Sequence, residues 1–240
     1  MKAAVPHQVL LHHCSEYLRE EIAFFAEESI ERFLGASSLR GRKVLLKPNL
    51  ISASGPPHAV THPLFVAAVA AAFLDCGAQV RLGDSPALGS CARVCEKRGI
   101  RAAIKGMGVK VVEFTEVSNR RLPCGVDLPI AREALACDLL VGLPKVKAHN
   151  QMLVTLAGKN LFGVVKGVSK AMLVNSACTV DAISVILTLG STVGVGLAHA
   201  VSMVMAVKIT ILLTKNFLVN ISIPPFNLDT TCIYKPDWEI

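Results

Sequence analysis

Apolar and polar positions along the first two-thirds of the chain switch repeatedly between a helical and a strand-like rhythm. From Cys14 to Phe33 the apolar residues Leu18, Ile22, Phe25, Ile30 and Phe33 recur at helical spacing between Glu and Arg. This predicts a helix stopped by Gly35 and Ser37-Ser38. Lys43-Val-Leu-Leu-Lys47 is a short strand ended by Pro48-Asn49. A Gly- and Pro-rich loop, Ser52 to His58, leads to Thr61-His-Pro63, a helix entry with proline in the first turn. The alanine-rich helix Leu64 to Leu74 follows, and Gln79 to Leu82 is the next strand, ending in Gly83-Asp-Ser-Pro86. Cys91 to Met107 carries one or two helices interrupted at Gly99, and Val109 to Phe114 is a third strand. Arg120 to Ile130 reads as a short hairpin and Ala131 to Ala136 as a helical turn. Leu139 to Leu143 is apolar throughout, as a strand buried on both faces is.

Strands alternating with helices imply right-handed crossovers and an α/β fold: a mostly parallel, Rossmann-like open sheet flanked by helices. Three of the strands end in Lys47-Pro-Asn49, Asp84-Ser-Pro86 and Pro144-Lys-Val-Lys147. In a parallel sheet those ends lie on one edge, where open α/β sheets bind their ligands. Residues far apart in sequence are thus expected to converge on one crevice.

The chemistry available there favours an anion. Lysine ammoniums and asparagine amides, here Lys47 and Asn49, suit carboxylate or phosphate oxygens; a solvated lysine and an Asx-turn are the plainer readings. Lys145, Lys147 and His149 alternate, so on extended chain they share a face, and like charges so placed repel unless an anion compensates them. A solvated basic loop is the alternative. Gly158-Lys-Asn-Leu-Phe-Gly163 is not a P-loop, but its glycines permit close backbone approach and present Lys159 and Asn160. The expected ligand-binding residues are therefore Lys47, Asn49, Ser85, Lys145, Lys147, Lys159 and Asn160. Candidates for a catalytic role are Asp84, His149 and Lys145. Asp84 reads equally as an Asx-turn, and Ser85 lacks the Gly-x-Ser-x-Gly setting of a nucleophile elbow. Asp84, His58 and His62 are the candidates for a metal.

Composition narrows the partners. The formal charge is +7, but basic residues are spread out and aromatics are only 5%, so a small anionic molecule fits better than nucleic acid. The eight cysteines contain no Cys-x-x-Cys; Cys91 and Cys95, one helical turn apart, read as buried thiols rather than cluster or zinc ligands. Met1 to Leu11 lacks a secretory apolar stretch, and free thiols fit the cytoplasm. From Ala182 to Val207 no charged residue occurs, a length able to span a bilayer, with Gly190 and Gly194 at small-xxx-small spacing. The same stretch reads alternatively as two buried strands, or a helix and a strand, with Gly190 to Gly196 as a turn. Val204 to Leu213 favours strand.

Taken together, Val44-Leu-Leu-Lys-Pro-Asn-Leu50, Ala59-Val-Thr-His-Pro63, Gly83-Asp-Ser-Pro86, Leu143-Pro-Lys-Val-Lys-Ala-His149 and Gly158-Lys-Asn-Leu-Phe-Gly-Val164 resemble the domain-of-unknown-function 362 family. Order and spacing match from about residue 40 to 170. The resemblance implies an α/β domain without an established activity. Many relatives are labelled iron–sulfur proteins because a ferredoxin-like cysteine cluster accompanies the domain, which suggests a 4Fe-4S cofactor and a redox role. The cysteine spacing here does not support that cluster. Residues 1–170 are thus expected to form the α/β domain. Residues 171–240 form an atypical apolar C-terminal extension, read as a divergent, truncated or frame-shifted ending or as a membrane tether through 182–207.

Overall fold

The N-terminal segment departs from its local pattern: Val9–Cys14 forms strand β1, and helix α1 starts only at Arg19 (Arg19–Phe33). The reason is non-local, since β1 pairs antiparallel with β11 (Met205–Leu212) almost the whole chain away. The computed structural model describes residues 9–14, 16–122, 125–149, 153–155, 157–166, 191–199 and 205–212.

Between residues 43 and 143 the elements follow the rhythm of the sequence; the strands and helix at 145–161 have no counterpart in its pattern. Helix α1 is followed by β2 (Lys43–Pro48), α2 (Pro63–Asp75), β3 (Gln79–Gly83), α3 (Cys91–Lys97), α4 (Ile100–Ala103) and β4 (Lys110–Val112). Then come β5 (Val117–Arg121), β6 (Asp127–Ala131), α5 (Arg132–Leu135), β7 (Leu139–Leu143), β8 (Lys145–His149), β9 (Leu153–Thr155), α6 (Ala157–Leu161) and β10 (Ser191–His199). Strands β5 and β6 are the predicted hairpin, antiparallel and separate from the main sheet. Gly99 divides α3 from α4 by adopting φ of +73°, a left-handed conformation that glycine reaches without a Cβ clash.

The main sheet runs β1-β11-β10-β7-β2-β3-β4. From β10 to β4 every pairing is parallel, whereas β11 and β1 add an antiparallel edge. Pleating sends Val44 and Leu46 of β2, with Leu139, Val141 and Leu143 of β7, into a core shared with α1, α2, α3 and α4. Leu45 and Leu140 point to the opposite face, packing with Leu128, Ile130, Leu161 and Phe162. Both faces are covered, which is why these strands read as unbroken apolar runs.

The segment Pro57–Asp75 is apolar and long enough to suggest a membrane span, yet 56% of its window is buried inside the fold. Its α-helical part, 13 residues, rises only about 20 Å at 1.5 Å per residue, short of a hydrocarbon core of about 30 Å. In the apolar tail, β10 and the start of β11 both fall within 182–207. Residues 205–212 are strand, as their β-branched composition predicts. The expected turn at Gly190 to Gly196 is corrected: Gly194 and Gly196 lie inside β10, opposite Thr210 and Lys208. Glycine holds an extended conformation there because β10 is hydrogen-bonded on both sides, to β7 and to β11. The junction at 170 itself lies outside the described residues.

Candidate functional site

Strand order reverses between β2 and β7. The chain leaves β2 toward β3 and β4 on one side, and later returns to lay β7 and β10 on the other. Where successive connections diverge in this way, the carboxyl ends of the two strands frame a crevice. Lys47 lies one residue from the end of β2 there, and Lys145 opens β8 one residue after β7. Between β7 and β8, Pro144 has no N–H to give the ladder. Strands β7 and β8 nevertheless follow the same neighbour in one register: Leu139 to Gly142 pair with Ser191 to Gly194, and Lys145 and Val146 with Leu197 and Ala198.

Lys47 shares its face with Leu45, toward α6. Its side chain is 1% exposed and its Nζ lies 2.8 Å from Asp84 Oδ1, just past β3. The ammonium also donates to Asn160 Oδ1 at 2.8 Å and to the Pro48 carbonyl at 3.2 Å. The Asn160 amide returns a bond to the Lys47 carbonyl at 2.9 Å. Asp84 Oδ2 accepts the Leu50 N–H at 3.0 Å, whereas Oδ1 meets the ammonium by charge without a well-aligned hydrogen bond. Burial pushes the Lys47 ammonium below the usual lysine range, and the Asp84 carboxylate opposes that shift. Gly163 makes the approach of α6 possible. A Cβ there would lie 1.9 Å from Asp84 Oδ1 and 2.3 Å from Lys47 Nζ. The Gly163 carbonyl also accepts the Ser85 N–H at 2.9 Å, tying the β3 loop to the same turn.

A second cluster forms on the β7 side. Thr61 Oγ1 donates to the Leu143 carbonyl at 2.7 Å and accepts the Asn49 N–H at 2.9 Å, so the β2 and β7 ends share one hydroxyl. Asn49 Nδ2 reaches the Lys145 carbonyl at 3.4 Å. Next to it, Ile51 has φ of +23°, an unusual value for a β-branched residue. Lys145 Nζ lies 2.7 Å from the Tyr17 hydroxyl. The ring centre, 5.3 Å from Nζ, sits beyond that oxygen, so the contact is a hydrogen bond at the ring's edge rather than a cation on its face. The Tyr17 ring stacks on His62 with centroids 3.7 Å apart. His62 in turn caps α2, its Nδ1 accepting the Leu64 N–H at 3.3 Å. Burial lowers Lys145 from the usual lysine range. His62 is lowered by burial and then by the Lys145 charge. Lys159 is lowered by burial and then by the Lys47 charge.

Of the residues expected from sequence, the structure brings Lys47, Asn49, Asp84, Ser85, Lys145 and Asn160 to the strand ends, with Lys159 beside them on α6. Lys47 and Asn160 serve each other rather than open space. The side chains of Lys147 and His149 lie outside the described residues; their backbones belong to β8, opposite Thr155 and Leu153 of β9. For a metal, Asp84 and His62 already serve Lys47, Leu50 and Leu64, and His58 is exposed on a 3-10 turn. Among the described residues no group of three His, Cys, Asp or Glu side chains is placed to hold an ion. Cys91 and Cys95 are fully buried in α3, and Cys91 is pushed far upward by its contact with Cys95 and then by burial. Sequence reasoning missed Tyr17 and the bridging role of Thr61. The Thr61-His-Pro63 signal was present, read as a helix entry, a family motif and, at His62, a metal candidate, with no role for the Thr61 hydroxyl; Tyr17 carries no local signal.

Fold and site together define an open, mostly parallel α/β domain with a lysine-rich cluster at its switch point. The chain belongs to the family described as domain of unknown function (DUF362), whose model matches residues 44–221 and so runs past Lys170 into the apolar tail. It is 38% identical over 136 residues to the "Thylakoid-associated protein sll1697" of Synechocystis sp., covering 55% of this chain and 41% of that protein. Among solved structures it resembles the lactate racemase apoprotein of Thermoanaerobacterium thermosaccharolyticum. That likeness has a TM-score of 0.55 and 13% identity, over 82% of this chain and 53% of that one. A Thermotoga maritima protein aligns with TM-score 0.47 and 11% identity, over 80% of this chain and 54% of that one. The chain thus spans about half the length of these proteins or less, and at 13% identity the likeness to the lactate racemase apoprotein speaks to fold alone.

Proposed function

We propose that this domain binds a small phosphate- or carboxylate-bearing molecule at the β2/β7 switch point. One observation supports the reading: among the described residues, three buried or half-buried lysines, Lys47, Lys145 and Lys159, gather near the strand ends, where Asp84 pairs with Lys47. Asp84 balances Lys47, and an anion in the crevice would favour the ammonium forms of the lysines around it. Thermal unfolding of the full chain with sulfate, phosphate, and phosphorylated and carboxylated metabolites tests this against chloride at equal ionic strength. A specific ligand at 100 times its dissociation constant adds about 2.7 kcal/mol. If none of these anions raises the midpoint above the chloride control, the site does not bind them.

A second reading is peripheral membrane association, favoured by the name of the Synechocystis relative. Vesicle flotation without detergent tests it; protein that stays with the soluble fraction at both low and high salt would rule it out.

A further inference from the structure

Two buried lysines lie at the carboxyl ends of neighbouring strands, Lys47 in β2 and Lys145 just past β7, and their partners differ in kind. Lys47 meets a carboxylate, which favours its ammonium form against the opposing effect of burial. Lys145 meets a phenol, Tyr17, at 2.7 Å. A phenol accepts a hydrogen bond from an ammonium and donates one to a free amine, so Lys145 keeps this partner in either protonation state. The neighbouring imidazole imposes no charge when its Nδ1 accepts the Leu64 N–H and its proton sits on Nε2. The Lys145 backbone is braced by pairing to β10 and by Asn49, which fixes the origin of the side chain at the crevice.

We propose that Lys145 Nζ is an amine nucleophile toward a carbonyl-bearing carboxylate such as a 2-oxo acid, with Tyr17 moving the protons. This rests on the anion-binding reading, because the ligand's carboxylate is what draws it to the lysine cluster. The amine lone pair adds to the carbonyl carbon, forming a C–N bond as the C=O π bond opens. The nitrogen gives up both of its protons, the oxygen gains them and departs as water, and a neutral C=N bond to Lys145 remains. Amine and carbonyl become imine and water, with no oxidant or reductant required. Tyr17, within hydrogen-bond reach of the nitrogen, relays a proton between it and the departing oxygen. Burial, which favours the uncharged amine of Lys145, supports the same chemistry.

The test is reductive trapping on the full chain. Glyoxylate or pyruvate is added with cyanoborohydride, and the adduct is located by intact mass and peptide mapping, with and without sulfate as competitor. The expected result is one dominant adduct at Lys145, suppressed by sulfate and absent in Lys145→Arg. Tyr17→Phe should slow trapping by about 100-fold if the phenol carries protons. A thermal scan of each variant confirms that it is folded. Adducts spread over exposed lysines, or an unlabelled Lys145 in wild-type protein that sulfate still stabilises, overturn the imine and leave anion binding intact. No labelling together with no stabilisation by any anion removes both.

Discussion

Lys47 and Asn160 hydrogen-bond to each other in both directions: Lys47 Nζ donates to Oδ1 at 2.8 Å, and Asn160 Nδ2 donates to the Lys47 carbonyl at 2.9 Å. The pair fastens α6 to the end of β2 across the face opposite α2. Truncation to Asn160→Ala strands a buried ammonium with one acceptor fewer and opens a buried carbonyl. Hydrogen bonds to charged groups contribute about 1.5–3 kcal/mol each, so urea unfolding of Asn160→Ala should show a loss of about 3 kcal/mol. A loss below about 1 kcal/mol, no more than one ordinary neutral hydrogen bond, would show that the clamp is not a structural fastening.

Gly163 is the position where α6 and its following turn press closest to the ion pair. The added Cβ of Gly163→Ala would lie 1.9 Å from Asp84 Oδ1, inside any permitted contact, so either the turn retreats or the Lys47–Asp84 pair opens. Breaking a buried pair costs about 3–5 kcal/mol. Gly163→Ala should therefore unfold at markedly lower urea or accumulate as insoluble protein. Soluble protein within about 0.5 kcal/mol of wild type, the range of a bland surface change, would mean the turn yields freely.

What the sequence could reveal here depended on how local the cause was. Strands β2, β3 and β7 and helix α2 are legible because each buries its own apolar residues, and His62 before Pro63 marks the start of α2. Parallel order by itself puts Lys47, Asp84 and Lys145 on one edge. The pattern could not show which groups would neutralise one another. That Lys47 is spent on Asp84 and Asn160, while Lys145 turns to Tyr17, depends on packing between residues more than a hundred positions apart for Asn160 and Tyr17. Strand β1 was missed for a similar reason, since its partner β11 lies at the other end of the chain.

Tyr17 should titrate unusually late. Its phenol is pushed up to about 12 from 10, first by burial and then by the nearby Cys14 thiol. Between those values the native protein holds a proton that the unfolded chain has lost. Stability from this group is therefore fully present below pH 10 and falls as pH rises toward 12. Phenolate absorbance of the wild type, which has two tyrosines, should show one late transition that vanishes in Tyr17→Phe. The variant's alkaline stability profile should also be flatter over that window. Two ordinary transitions near 10 would contradict the buried placement of Tyr17.

Anion binding and proton binding should be coupled. Burial holds Lys145 and Lys159 below the usual lysine range in the ligand-free fold, with the Lys47 charge adding to the effect on Lys159. In the pH window beneath 10.5 the unfolded chain therefore carries more protons at these positions, and their contribution to stability falls as pH is lowered through the folded-state values. A bound anion favours the ammonium forms and reverses that shift. Sulfate, which keeps its charge across this range, should bind with net proton uptake and weaken as pH rises through the same window. Calorimetry in two buffers of different ionisation enthalpy reads the uptake directly. Lys159→Gln should reduce it and weaken sulfate by about tenfold, or 1.4 kcal/mol. Uptake and affinity unchanged in Lys159→Gln would remove Lys159 from the anion site, and sulfate binding independent of pH would mean that neither lysine changes protonation when the anion arrives.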